Sequence, residues 1–188
     1  MNLNQWFDKG MTPEEYIEYM SVHKENTETI RKSFRVPQED VEVLNRLGEQ
    51  SLRVIAITED WCGDAMLNIP ILLKVAEAAN VDVRMILRDE NLELMDQYLT
   101  NGTSRAIPIF IFIDQEGKEK LVWGPRAPMV KKIVDDERAK LPPKDHELFP
   151  EKQKEMIQRL TSQYTKDKGV WLEVYESLKT SLVQNILM

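Results

Sequence analysis

Cysteine is nearly absent from this chain, since Cys62 is the only one among its 188 residues. A single thiol cannot close an intramolecular disulfide, which excludes a small secreted fold stapled by disulfides. The N-terminus also lacks a basic start followed by an apolar run, so no secretory signal is predicted. We therefore expect a protein of the cytoplasm.

Long apolar runs and an excess of positive charge are missing as well. The longest conspicuously apolar stretch, residues 106–113, is far shorter than the roughly 20 residues that a membrane-spanning helix needs. The net charge is −7 and the pI is near 5. These values argue against nucleic acid and anionic membranes as partners.

Histidine is scarce, and the common nucleotide-binding and hydrolase motifs do not occur. His23 and His146 lie far apart in sequence, and neither has metal-ligand spacing with Cys62. There is no P-loop, no G-x-G-x-x-G and no G-x-S-x-G. We therefore predict neither a metal nor a cofactor, which leaves the single thiol as the main candidate for chemistry.

The sequence that is present divides into three zones. Residues 1–36 are predicted to be an N-terminal helical extension, residues 37–140 a central domain, and residues 141–188 a C-terminal helical extension. In the first zone, residues 12–15 (T-P-E-E) form a capping box with proline at the first helical position. The central domain then begins with a helix that starts after Pro37 and ends at Gly48.

The apolar period of the central domain alternates between strand and helix. Strands are predicted at 52–58, 81–87, 109–113 and 119–123, and helices at 63–79, 91–99 and 129–140. A strand–helix–strand crossover followed by a helix and a hairpin is typical of a mixed sheet with helices on both faces. The predicted fold class is therefore α/β.

Two helices are predicted in the C-terminal extension, at 150–164 and 170–187. The second has an apolar face, which holds Leu172, Tyr175, Leu178, Leu182 and Ile186. One interpretation is that these helices pack on the sheet domain or on the N-terminal helices. The other is that they form a partner surface or the seam of a homo-oligomer.

Cys62 lies at a predicted strand-to-helix junction, in the segment W-C-G-D-A. The free N–H groups and the dipole of a helix start favour a thiolate there. The carboxylates of Asp60 and Asp64 would raise the pKa of the thiol if they faced it. The alternative interpretation is that Cys62 is a small buried hydrophobic residue, as free cysteines usually are.

The segment resembles the active site of the thioredoxin-like superfamily, W-C-G-P-C. Trp61, Cys62 and Gly63 match the motif, whereas Asp64 replaces its proline and Ala65 its second cysteine. Four further features stand at matching spacing over residues 38–140. They are Pro70 in the active-site helix, Ile107-Pro108 before a strand, the turn 114–118 and Gly124 after the last strand.

This resemblance implies the thioredoxin fold, with Cys62 as the nucleophile. Trp61, Gly63, Asp64 and Ala65 would surround it. Ile107 and a cis Pro108 would form a wall beside the sulfur, where an extended substrate can pair with the exposed backbone.

The sequence departs from the family where the resolving step takes place. Ala65 replaces the resolving thiol, and Ala56 stands where many thioredoxins keep a buried acid that helps to deprotonate it. We therefore predict monothiol thiol–disulfide exchange on a protein or small-molecule disulfide, with a low-molecular-weight thiol releasing the product. The alternative is a redox-silent module that binds a peptide or protein, whose second cysteine was lost naturally or removed by engineering.

Overall fold

The computed structural model describes residues 2–188 and has a four-stranded mixed sheet at its centre. The strands are β1 (Arg53–Thr58), β2 (Asp82–Leu87), β3 (Ile109–Ile113) and β4 (Glu119–Trp123). Their order is β2-β1-β3-β4. β1 pairs with β2 in parallel, whereas the β1–β3 and β3–β4 pairs are antiparallel. The predicted crossover, the hairpin and the α/β class are therefore confirmed.

Nine α-helices surround this sheet in the described part of the chain. They are α1 (Asn4–Lys9), α2 (Pro13–Tyr19), α3 (Lys24–Ser33), α4 (Val41–Gly48), α5 (Gly63–Ala79), α6 (Leu92–Met95), α7 (Pro128–Arg138), α8 (Phe149–Lys166) and α9 (Lys168–Leu182). A short 3₁₀ turn, Gln38–Asp40, precedes α4, and a π-helical turn, Val183–Leu187, follows α9. The predicted capping box at Thr12 is present, with Glu15 as its partner.

One predicted helix is much shorter than expected. Residues 91–99 were predicted to be helical, but α6 spans only Leu92–Met95. The side chain of Asn91 makes no capping bond and instead donates to the carbonyl of Leu87, inside the domain. After α6 the N–H groups of Gln97 and Tyr98 bond three residues back, as in a tight turn.

The two central strands, β1 and β3, are buried on both faces, which explains why their sequences are almost wholly apolar. In β1, Ile55 and Ile57 pack into a cluster with residues of α1, α6 and β3. Val54 and Ala56 point to the opposite face, where α5 contributes more residues to the larger core than any other element. Because side chains alternate along a strand, β1 joins two hydrophobic layers and becomes the centre of the domain.

The C-terminal helices lie against the sheet domain. On the apolar face of α9, Tyr175, Leu178 and Leu182 are buried, whereas Leu172 is 45% exposed. Most of this face is thus used within the subunit, and self-association through the terminal helices stays a prediction. No helix between residues 2 and 188 combines the length and apolar character that crossing a bilayer requires.

Candidate thiol site

Cys62 occupies the junction between β1 and α5, as the sequence predicts. Cys62 is the N-cap residue of α5, and its Sγ accepts a hydrogen bond from the N–H of Ala65 at 3.5 Å. This contact satisfies one of the free N–H groups of the first helical turn. The side chain is neither fully buried nor fully exposed.

Two buried carboxylates fix the loop that leads to the thiol. Asp60 accepts hydrogen bonds from the backbone N–H groups of Ser21 and Val22, at 2.8 and 2.9 Å. Glu59 accepts one from the N–H of Asp89 at 2.7 Å. Burial alone would raise the pKa of Asp60, but its hydrogen bonds outweigh burial and hold that pKa below its ordinary value. Asp60 is therefore a structural anchor between the N-terminal segment and the site.

Asp64 has different partners, which come from later in the chain. Its carboxylate forms an ion pair with Arg126 at 2.6 Å and accepts a hydrogen bond from the hydroxyl of Tyr164 at 3.2 Å. The Asp64 and Arg126 side chains are only 13% and 20% exposed. The Nε atom of Arg126 is buried and has no hydrogen-bond partner within residues 2–188.

The surroundings of Cys62 make its thiol a weaker acid than that of an ordinary cysteine. Burial raises the pKa of its thiol, and the negative charge of Asp64 raises it further, to about 11. The N–H groups of the helix start and the cation of Arg126 act in the opposite direction but do not compensate. The expectation that the helix start produces a stabilised thiolate is therefore wrong for this structure, because desolvation and Asp64 dominate.

The Ile107–Pro108 segment lies beside the sulfur, and its peptide bond is cis. The Cys62 thiol donates a hydrogen bond to the Ile107 carbonyl at 3.5 Å. Both side chains of the segment are buried. On the far side Gly124, with φ of 125°, lies so close that an added Cβ would be 2.3 Å from the Pro108 carbonyl oxygen. The docking role of this segment stays a prediction.

The remaining predicted site residues surround Cys62 in different ways. Trp61 is 47% exposed, and the Arg88 guanidinium lies 4.8 Å from the centre of its ring. Gly63 faces open space, because an added Cβ would meet no atom within 4 Å. Ala65 is only 1% exposed, so a side chain there is enclosed next to the sulfur.

A cleft of about 850 Å³ opens next to the thiol. Cys62 and its neighbours form one wall, together with Arg126. The other wall is formed by α7, the connection after it and α8, through residues that include Arg138, Lys144, Ile157 and Tyr164. Ile107 and Pro108 do not line this cleft.

Two residues of the site, Arg126 and Tyr164, were not predicted from the sequence. Arg126 follows Gly124 and Pro125 after β4, and its proximity to the site becomes visible only in the fold, where Gly124 packs against Pro108. Tyr164 lies 100 residues from Asp64, and no local pattern points to their contact. Within residues 2–188, no group of three or more histidine, cysteine, aspartate or glutamate side chains could hold a metal ion.

Comparison with known proteins agrees with the fold. A family model described as Thioredoxin matches residues 10–139. The match spans more than half of the chain, so the protein belongs to this thioredoxin family. The match begins within the N-terminal helices and ends before α8, so the second wall of the cleft lies largely outside it.

Two crystal structures share the thioredoxin-like architecture. An HIV epitope scaffold is 17% identical with a TM-score of 0.66, over 95% of this chain and 96% of that chain. A protein of unknown function from Pseudomonas aeruginosa is 18% identical with a TM-score of 0.63, over 88% and 95%. At these identities the likeness shows the fold alone. No curated protein matches the chain in sequence.

Proposed function

We propose that this protein carries out thiol–disulfide exchange through Cys62 as a single nucleophile, on a protein or small-molecule disulfide. The observation that carries the proposal is the position of the sulfur. It lies at the start of α5, 3.5 Å from the carbonyl of Ile107, and it borders an open cleft. Membership of the thioredoxin family supports the same chemistry.

The reaction needs two exchange steps. The Cys62 thiolate attacks one sulfur of the substrate, so that a bond forms between the two sulfurs and the substrate disulfide breaks. The other substrate sulfur leaves as a thiolate and takes up a proton. A small thiol, acting as a thiolate, then attacks the mixed disulfide, bonds to the substrate sulfur and releases Cys62. Because Ala65 cannot supply this second thiol, the small thiol replaces it.

The raised pKa limits the rate of the first step at neutral pH. With a pKa of about 11, roughly one Cys62 in ten thousand is a thiolate at pH 7, against a few per cent of an ordinary cysteine. The intrinsic nucleophilicity of a more basic thiolate recovers only part of this difference. Exchange should therefore accelerate strongly as the pH rises.

The raised pKa of the Cys62 thiol leaves a second candidate open as the alternative, a redox-silent module that binds a peptide or protein. A thiol that stays protonated, with its second cysteine missing, is consistent with a thioredoxin fold kept for binding alone. The two candidates differ in what the loss of Cys62 does. Removal of the Cys62 sulfur should abolish thiol–disulfide exchange, whereas binding of a peptide or protein does not require this sulfur.

Reduction of an aromatic disulfide that releases a coloured thiolate tests the proposal. The protein is mixed with this disulfide and 2-mercaptoethanol between pH 7 and pH 10, and the colour is followed with time. We expect reduction faster than with 2-mercaptoethanol alone, an acceleration that grows with pH, and a Cys62→Ser variant that gives only the uncatalysed rate. Equal rates with and without the protein at every pH would overturn the exchange function and leave the binding module.

A further inference from the structure

The cleft beside Cys62 has a charge opposite to that of the molecule as a whole. The chain has a net charge of −7. Yet the cleft is lined by the cations Arg126, Arg138 and Lys144, with Asp64 as its one carboxylate. Burial lowers the pKa of His23, so this further lining residue is mostly uncharged at neutral pH.

Two of the three cations are available to a ligand. Arg126 is neutralised by its ion pair with Asp64. Arg138 and Lys144, by contrast, form no salt bridge with any residue between 2 and 188, and both are exposed. Most other basic side chains on α7 and α8 do form such pairs, for example Lys132 with Asp136. The nearby carboxylate of Asp135 interacts with the charge of Arg138, but within the described residues neither Arg138 nor Lys144 is held in an ion pair, so both cations remain available to an anion.

The opposite part of the lining is apolar and comes from α8. Its members are separated by seven, one and three residues, a spacing that places them on one side of the helix: Phe149, Met156, Ile157 and Leu160. Ile157 lies on the side of α8 that faces the cleft, yet it is 52% exposed. An apolar surface left open next to unpaired cations is typical of a ligand site rather than of a solvated surface.

We infer that this cleft binds a small amphipathic anion, in which a carboxylate, sulfonate or phosphate group is attached to an apolar body. The anionic group is attracted by Arg138 and Lys144, and the apolar body packs on α8. The volume of about 850 Å³ falls in the range of about 300–1,000 Å³ that is usual for small-molecule sites. This binding goes beyond thiol exchange, and it holds whether or not Cys62 is reactive.

Isothermal titration calorimetry with decanoate, below its micelle concentration, tests the inference on the full chain. We expect decanoate to bind, and acetate and decyltrimethylammonium to bind far more weakly, because each lacks one of the two required features. The double variant Arg138→Gln, Lys144→Gln should weaken decanoate binding roughly tenfold, since it removes two charged contacts. The matched double variant Lys131→Gln, Lys132→Gln removes the same charge from α7 outside the cleft and should leave the affinity unchanged.

Three results would overturn the inference. They are equal binding of decanoate and decyltrimethylammonium, an equal loss of affinity in the two double variants, and binding of an acidic, leucine-rich peptide without binding of decanoate. The last result would assign the cleft to a polypeptide. The Cys62→Ser variant separates this site from the proposed exchange reaction, because it should abolish exchange and still bind decanoate.

Discussion

The hydroxyl of Tyr164 donates a hydrogen bond to Oδ1 of Asp64 over 3.2 Å. This contact links α8, in the C-terminal extension, to the first turn of α5, two residues after Cys62. Arg126 holds the other carboxylate oxygen at 2.6 Å. Two later segments of the chain therefore fix a negative charge beside the thiol, at the position where the resembled motif has an uncharged proline.

Removal of this charge should make Cys62 more acidic. In Asp64→Asn, the carboxylate that raises the thiol pKa is absent, and the cation of Arg126 no longer has an ion-pair partner. Because a smaller pKa means more thiolate at neutral pH, we expect alkylation by iodoacetamide at pH 7 to accelerate about tenfold. The rate measured from pH 6 to pH 11 gives the shift directly.

Asp60→Asn is the matched control for that experiment. It removes a carboxylate just as close in sequence, but one that bonds to the backbone of Ser21 and Val22. Because the side-chain carbonyl oxygen of asparagine can still accept both of these bonds, the loop should be kept and the alkylation profile should coincide with that of the parent protein. Equal acceleration in both variants would mean that overall charge, rather than the contact of Asp64, controls the thiol.

The local pattern of apolar and polar residues was sufficient to predict the sheet and most of the helices. The central strands β1 and β3 are continuous apolar runs buried on both faces, and α5 follows β1 at the predicted residue. The helix predicted at 91–99 begins next to the predicted residue but ends at Met95, because the N–H groups of Gln97 and Tyr98 bond three residues back instead of four. The helical period alone does not show where a helix tightens into such a turn.

The position of the thiol was predictable, but its electrostatics were not. The sequence shows Asp60 and Asp64 at equal separation from Cys62, and only the folded chain shows that Asp64 raises the thiol pKa while Asp60 bonds elsewhere. The second wall of the cleft comes from α8, whose contact with Asp64 spans 100 residues. Contacts of such range depend on topology rather than on local periodicity.

Restoring the second cysteine should restore an intramolecular disulfide. Ala65 is one helical turn after Cys62, and its N–H points to the sulfur at 3.5 Å. In Ala65→Cys we expect a disulfide to close under mild oxidation and the variant to reduce protein disulfides with a dithiol reductant. Turnover should remain slow, because Ala56 supplies no buried acid. Thiol titration and intact mass measure the pairing.

Ala76→Cys provides the control for that variant. It places a buried thiol on the same helix, but almost four turns from Cys62 and beyond the reach of a disulfide. Both thiols should remain titratable after oxidation once the protein is unfolded. If the Ala65→Cys thiols also stayed free, Cys62 and position 65 would not face each other, and the site assignment would be wrong.

A side chain at Gly124 should destabilise the protein. Its φ of 125° is strained for any residue with a Cβ, and that Cβ would be 2.3 Å from the Pro108 carbonyl oxygen. We expect Gly124→Ala to lower the free energy of unfolding in urea by at least about 2 kcal/mol. Gly63→Ala, where the added Cβ meets no atom within 4 Å, should change it by less than about 1 kcal/mol. Similar losses in both variants would refute the role of backbone crowding.

Asp40 connects the start of α4 to α9 through one carboxylate oxygen. Its Oδ2 accepts hydrogen bonds from the Tyr175 hydroxyl and from Nζ of Lys179, both at 2.8 Å. Burial would raise the pKa of Asp40, but the bonds from Lys179 and Tyr175 outweigh it and hold that pKa below its ordinary value of 3.8. The ionised form is therefore favoured by folding.

The stabilisation that Asp40 provides should consequently depend on pH. A carboxyl whose pKa is lower in the folded state stabilises that state above its unfolded pKa, and the contribution disappears as the pH falls through the folded value. We expect Asp40→Ala to lower the free energy of unfolding by about 1–3 kcal/mol at pH 7, and by progressively less below about pH 4. Asp136→Ala, which removes an exposed carboxylate paired with Lys132, should cost less than about 0.5 kcal/mol. Urea unfolding at pH 7 and pH 3 measures all three proteins. A loss in Asp40→Ala that is equal at both pH values would show that packing, rather than the ionised carboxylate, joins α9 to the domain.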